Sequence, residues 1–307
     1  MYSTQTKGIY LAILAALISG VSIFINKFAV ASISSPLVFT TTKNLLVGIL
    51  ILSIIFISKK WKLIYKLNKK DLIYLGLIGI IGGSIPFYLF FTGLSQIPAI
   101  NAAILQKTLV LWVIILAIPL LKEKLSKLQI VAVGLLFLSN FIIGGFKGFQ
   151  FSFGELMIIG ATIFWAVENI IAKKILPRVD VDILVLARML FGGVILLIAT
   201  FIKEPANFNQ ILQLSSTQLF WIILTAIALL AYVMSWYRAL KFTPAITVTS
   251  ILVGSTLVTN ILSAIFITHV WNQLMGIQAI LIVLGIGLLY ISIKINSLKL
   301  LLSKKIS

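Results

Sequence analysis

GIYLAILAALISGVSIFINK at residues 8–27 and GELMIIGATIFWAVENIIAK at residues 154–173 both begin on Gly, end on Lys and lie 146 residues apart. Each runs for about 20 residues, enough for a helix to cross a hydrocarbon core of about 30 Å. The same offset carries Pro98-Ala99 onto Pro244-Ala245, and a one-residue slip carries Lys43 and Gly48 onto Arg188 and Gly193. One offset serving four helices in order marks an internal repeat. Reading outward from it, apolar stretches predict ten spans, at 8–31, 36–58, 72–95, 98–121, 127–146, 154–175, 182–202, 218–241, 244–268 and 274–294. The expected fold is an all-α integral membrane protein with two five-helix repeats, residues 1–147 and 148–307, the second ending in a short basic tail. Five is odd, so the second repeat enters the membrane inverted relative to the first, as in secondary transporters whose site lies between the halves.

Composition agrees. Of the 307 residues, 61% are hydrophobic and only 10% charged, with a mean hydropathy of +1.16; a soluble globule carries about a quarter charged residues. The net charge of +18 does not point to nucleic acid, because the Lys residues sit in short clusters between apolar runs. With the N-terminus in the cytoplasm, nineteen basic residues fall inside: Lys7, six at 59–70, three at 122–127, Lys173, Lys174, Arg178, Arg238, Lys241, Lys294, Lys299, Lys304 and Lys305. Only Lys147 and Lys203 fall outside, the bias that orients a chain in the cell membrane with both termini cytoplasmic. Lys7 and Ala29-Val30-Ala31 imitate a signal peptide, but the run is too long, Lys27 interrupts it and residues 154–173 repeat it, so it is expected to remain a helix.

The order of these features resembles the drug/metabolite transporter superfamily, in its ten-helix branch of two EamA-type repeats, over residues 8–294. The resemblance rests on Ser19-Gly20-Val21-Ser22-Ile23-Phe24-Ile25-Asn26-Lys27, a basic residue early in the second helix of each repeat (Lys43, Arg188), the Pro-Ala turn before the fourth, and Leu121-Lys122-Glu123-Lys124-Leu125-Ser126 after it. The chain departs from the pattern at His269, near an expected Glu, and at Lys43, where Arg is commoner. The resemblance implies ATP-independent export or uptake of small metabolites, often amino acids.

Ionisable residues inside a bilayer are costly and normally face a cavity or a partner. Asp71 and Glu155 begin helices and four further acids lie in or beside loops, leaving Glu168 as the one deep carboxylate. Ala161, Trp165, Glu168 and Ala172 share a helical stripe, and its repeat counterparts Ala15, Ser19, Ser22 and Asn26 are again small or polar. In the ninth span Thr249, Thr256, Asn260 and Ser263 form a polar face, and Lys107 of the fourth projects in the corresponding direction, near the midplane. The candidate substrate-binding residues are therefore Lys107, Glu168, Trp165, Ser22, Asn26, Thr256, Asn260, Tyr88 and Trp236. Lys107 and Glu168 are expected to face each other, either as a structural ion pair or as a substrate site. Lys43 and Arg188 read as structural, tying helix ends to carbonyls or headgroups, and Trp61, Trp221 and Trp271 as interfacial anchors.

One His, no Cys and no metal-binding, nucleophile-elbow or nucleotide-binding motif argue against catalytic residues, a metal, a cofactor or ATP-driven transport. A secondary transporter of a zwitterion such as an amino acid, open to coupling with a proton or ion gradient, is the leading expectation. Transport of organic cations or quaternary amines is the alternative, and an intramembrane enzyme or lipid-handling protein the alternative class.

Overall fold

A computed structural model describes residues 2–33, 35–94, 96–97, 99–142, 148–271 and 273–306, with side chains also left undescribed at 2, 3, 27, 99, 100, 103 and 296–306. The side chains of Lys27, Lys299, Lys304 and Lys305, and all of Pro98 and Lys147, thus lie outside the described residues.

The described chain is helical, without strands. In the first half the helices are α1 (Tyr2–Ala31), α2 (Pro36–Ile57), α3 (Lys69–Gly83), α4 (Ile85–Leu94), α5 (Ala99–Lys107), α6 (Leu109–Leu121) and α7 (Lys127–Leu138). The second half holds α8 (Phe153–Ile175), α9 (Val181–Leu186), α10 (Gly192–Lys203), α11 (Pro205–Phe208), α12 (Ser216–Phe242), α13 (Ala245–Leu252), α14 (Ser255–Ser263) and α15 (Gln273–Ile306). A 3-10 segment, Lys60–Lys66, joins α2 to α3, and π turns at Ala187–Phe191 and Ala264–Thr268 continue α9 and α14. Among the described residues, nine helices or helix runs are long and apolar enough to cross a membrane.

Local sequence explains where these elements begin. Asn68 accepts from the Asp71 amide to cap α3, while Ser126, Ser152 and Ser215 form reciprocal capping boxes with Gln129, Glu155 and Gln218, each satisfying amides that lack an intrahelical partner. The expected fifth span is shorter than read. Helix α7 has 12 residues, about 18 Å at the standard rise, because Ser139 and Asn140 turn their side chains onto the Leu136 carbonyl at 2.6 and 3.1 Å and offer the backbone an alternative to helix. The expected tail after residue 294 is not a separate element, since α15 continues to Ile306.

Three predicted spans are broken. Pro86 has no amide to give the Gly82 carbonyl and its ring crowds that turn, so the third span divides at Ser84 into α3 and α4. The fourth divides at Thr108, whose hydroxyl bonds the Leu105 carbonyl at 2.6 Å. The ninth divides at Val253-Gly254, where amides reach back three residues rather than four. Thr108 and Gly254 are themselves 146 residues apart, so the repeat extends to the break.

Helix α1 packs along α12 and against α13 and α14, while α8 packs against α3, α4, α5 and α6. The first helix of each half therefore lies against later helices of the other. That exchange buries Ala12, Ala15, Ala161 and Ala172, and it delivers Glu168 on α8 into the first half's helices.

Candidate functional site

Glu168 is fully buried. Its Oε1 accepts from the Tyr237 hydroxyl of α12 at 2.5 Å, and its Oε2 lies 3.8 Å from Arg188 NH1. Arg188 NH1 donates to the Tyr237 oxygen at 2.7 Å, so the phenol links cation to anion. The π turn puts Arg188 here: its one extra residue within an α-helix re-aims the side chain, a device common at functional sites. Glycine makes room, since a Cβ at Gly82 would run into Glu168 Cγ and one at Gly83 into the Arg188 carbonyl oxygen.

Aromatic rings wall this cluster. Phe87 and Phe90 lie 5.6 Å from Trp165, and Phe87 also lies 5.9 Å from the Arg188 guanidinium. Trp165 donates its indole N–H to the Gly82 carbonyl at 3.2 Å, the acceptor that Pro86 left free. Trp236 donates to Asn169 Oδ1 at 2.9 Å, and Asn169 donates in turn to the Trp165 carbonyl. Trp165 and Trp236 thus flank Glu168 on α8 and α12, held by hydrogen bonds to the backbone and to Asn169.

The expected pairing of Lys107 with Glu168 is corrected. Lys107, buried on α5, donates to Ser255 Oγ at 2.9 Å, and no ion pair of Lys107 occurs among the described residues. Thr108 is the residue facing α8, 3.4 Å from Thr162; successive helical side chains diverge by about 100°, which turns Lys107 towards α14 instead. The carboxylate's partner is Arg188, which the sequence had assigned to helix ends or headgroups.

The remaining candidates form two further groups. Ser22 and Asn26 join at 3.2 Å, and Asn26 Oδ1 accepts from Lys43 at 3.2 Å while the ammonium lies 4.4 Å from the Phe39 ring and 5.2 Å from that of Phe91. Asn260 donates to Gln278 at 3.0 Å and Gln278 to Thr256 at 3.3 Å, binding α14 to α15. Tyr88 lies apart, its hydroxyl accepting from Lys203 at 2.8 Å. Sequence reasoning placed Tyr237 near the cavity helices only as a packing or wall residue and missed Gln278 and Asn169; a Gln inside an apolar run was the available signal. Of the expected anchors, Trp61 and Trp271 are exposed, while Trp221 stacks on Phe28 at 5.8 Å.

Ion pairs cluster at the helix ends. Lys60 reaches Asp182 at 2.5 Å and Asp180 at 3.2 Å, Arg238 also reaches Asp182, and Arg178 meets Asp71 at 2.6 Å. Burial works against the Lys60 charge, yet the hydrogen bonds and charges of Asp182 and Asp180 hold its ammonium above the usual lysine range. Glu123, after α6, accepts from the amides of Ala245 and Ile246 at 2.7 and 3.1 Å and so caps α13 from another segment. Burial pushes its carboxyl above the usual glutamate range, against the pull of those amides and Lys173. Among the described residues no group of His, Cys, Asp and Glu could hold a metal.

With this geometry in place, comparison with known proteins gives consistent results. The model of the EamA-like transporter family matches residues 6–145 and again residues 152–291. An uncharacterized transporter, YyaM of Bacillus subtilis (strain 168), is 24% identical over 211 residues, 66% of this chain and 68% of that protein. A crystal structure described only as that of a protein shares the fold with a TM-score of 0.76 at 15% identity, covering 95% of this chain and 98% of its own.

Proposed function

Because the chain belongs to the EamA-like transporter family and is a multi-pass membrane transporter, we propose that it moves a small zwitterion, an amino acid or a close relative, by alternating access without ATP. The observation that carries this reading is a pair of incompletely satisfied buried charges. Among the described residues Glu168 Oε2 has no hydrogen-bond partner, and Lys107 donates to one neutral acceptor, Ser255. An unmet buried polar group costs about 1–3 kcal/mol, so each favours a ligand group of opposite charge: an ammonium at Glu168 and a carboxylate at Lys107. A second reading follows from the rings. Phe87, Phe90 and Trp165 beside Glu168 suit an organic cation, which would use the same carboxylate and ignore Lys107.

A thermal-shift screen of the purified chain against amino acids, polyamines and quaternary amines separates the two. Amino acids are expected to raise the melting temperature of the wild type, with the shift lost in both Glu168→Gln and Lys107→Met. A shift by quaternary amines that survives Lys107→Met and disappears in Glu168→Gln selects the organic-cation reading, and amino-acid shifts undiminished in both variants refute the site.

The proposed arrangement places both termini in the cytoplasm and inverts residues 148–307 relative to residues 1–147. It rests on the bias of nineteen basic residues against two. Single Cys residues at Lys66 and at Leu212, both exposed, are expected to react with impermeant maleimide from opposite sides of sealed vesicles. Labelling of both from one side would eliminate the inversion.

A further inference from the structure

The 3-10 segment Lys60–Lys66 roofs a groove of about 390 Å³ between α3 and the π turn that continues α9. Ile64 and Leu67 form its roof, Leu72 and Leu75 one wall, and Leu190 and Phe191 the other, and no polar side chain lines it. Leu72 and Phe191 are 49% and 43% exposed on membrane-spanning helices, so the groove opens onto the bilayer and away from the buried Glu168 cluster.

What lies above the groove gives it a polarity. Lys59, in the left-handed conformation at φ 57°, turns the chain off the end of α2 and starts the 3-10 segment. That turn leaves Trp61 and Tyr65 exposed, edge to face at 6.0 Å, with the Lys62 ammonium 5.8 Å from the Trp61 ring. Trp and Tyr in this position mark the headgroup level of a membrane. Lys62 and Lys66 on the 3-10 segment and Lys69 and Lys70 at the start of α3 are exposed, and their chain neighbours Ile64, Leu67 and Leu72 line the groove, which makes these four lysines its rim. The neighbouring acids are already engaged, Asp71 by Arg178 and Asp180 and Asp182 by Lys60 and Arg238, and none of the four rim lysines has an ion pair among the described residues.

We propose that this groove is a binding site for one anionic glycerophospholipid, an acyl chain lying between α3 and the π turn and the headgroup phosphate held by the rim lysines. Lys clusters at a membrane surface attract anionic lipid, and a zwitterionic headgroup would bring its own ammonium against four more. Leu190 and Phe191 belong to the turn that carries Arg188, so a chain seated in the groove also braces the Arg188–Tyr237–Glu168 cluster from behind.

The test uses the delipidated full chain in neutral detergent, titrated with phosphatidylglycerol or phosphatidylcholine and read by native mass spectrometry and melting temperature. One saturable phosphatidylglycerol adduct with a rise in melting temperature is expected, and no comparable adduct with phosphatidylcholine. Replacing Lys62, Lys66, Lys69 and Lys70 together by Gln should weaken phosphatidylglycerol binding by at least about tenfold. Leu72→Trp, which fills the groove and spares the lysines, should also abolish the adduct. Equal binding of the two lipids, or wild-type phosphatidylglycerol affinity in either variant, would overturn the proposal.

Discussion

Arg188→Met is expected to destabilise the protein by about 3–5 kcal/mol, because it strands the Glu168 carboxylate in the core without its cation. Both members are almost wholly buried, at 6% and 0% exposure, so solvent cannot take over the lost interaction. Removing the anion as well should return much of that loss: Arg188→Met combined with Glu168→Leu is expected to melt above either single variant. The corresponding cycle between Glu168 and Lys107 should be additive, since Lys107 bonds Ser255 rather than the carboxylate, and sites without shared partners rarely couple. Melting temperatures of the wild type, three single variants and two doubles decide both points; additivity in the Arg188 cycle would mean that the 3.8 Å contact carries no energy. Transport by the stable double variant then separates roles. A purely structural pair predicts restored uptake, and an ammonium-binding Glu168 predicts a folded protein that does not transport.

Gly83→Ala is expected to be nearly as damaging, through sterics rather than charge. The added Cβ would meet the backbone carbonyl of Arg188, and a Cβ at Gly192 would come within 2.5–2.7 Å of the Gly83 backbone. Backbone on both sides cannot rotate away as a side chain would, so the cost should lie at the upper end of the roughly 1–3 kcal/mol typical of overpacking, or beyond it. The shift would also move the π turn, so loss of ligand-induced stabilisation should accompany the drop in melting temperature. On the same helix, a Cβ added at Gly76 would meet nothing within 4 Å. Gly76→Ala should therefore raise stability by up to about 1 kcal/mol through helix propensity alone, and a Gly83→Ala protein as stable as Gly76→Ala would refute the close approach.

Most of the architecture was legible along the chain. Apolar runs matched to bilayer thickness located nine of the ten expected spans among the described residues, and Glu168 stood out as an acid within an apolar run. The breaks at Thr108 and Gly254 obey the same 146-residue offset, but no residue pattern announced that the helices would break there. The fifth span was overestimated because hydropathy does not register Ser139 and Asn140 bonding back onto their own helix.

What the sequence by itself determined is whatever one segment decides with the membrane: which stretches are apolar enough to cross, which loops carry the basic residues and that two halves repeat. Only the tertiary structure decided that Glu168 meets Arg188 and Tyr237, that Lys107 turns to Ser255, and that Thr256 and Asn260 meet through Gln278. Those partners lie as few as 18 and as many as 148 residues apart along the chain. Their meeting depends on the rotation of each helix about its axis, which a proline at 86, a π turn at 187–191 or a backbone contact between Gly83 and Gly192 resets by tens of degrees. Hydropathy is indifferent to such rotations, because in a bilayer an apolar helix crosses equally well whichever of its faces meets a neighbour.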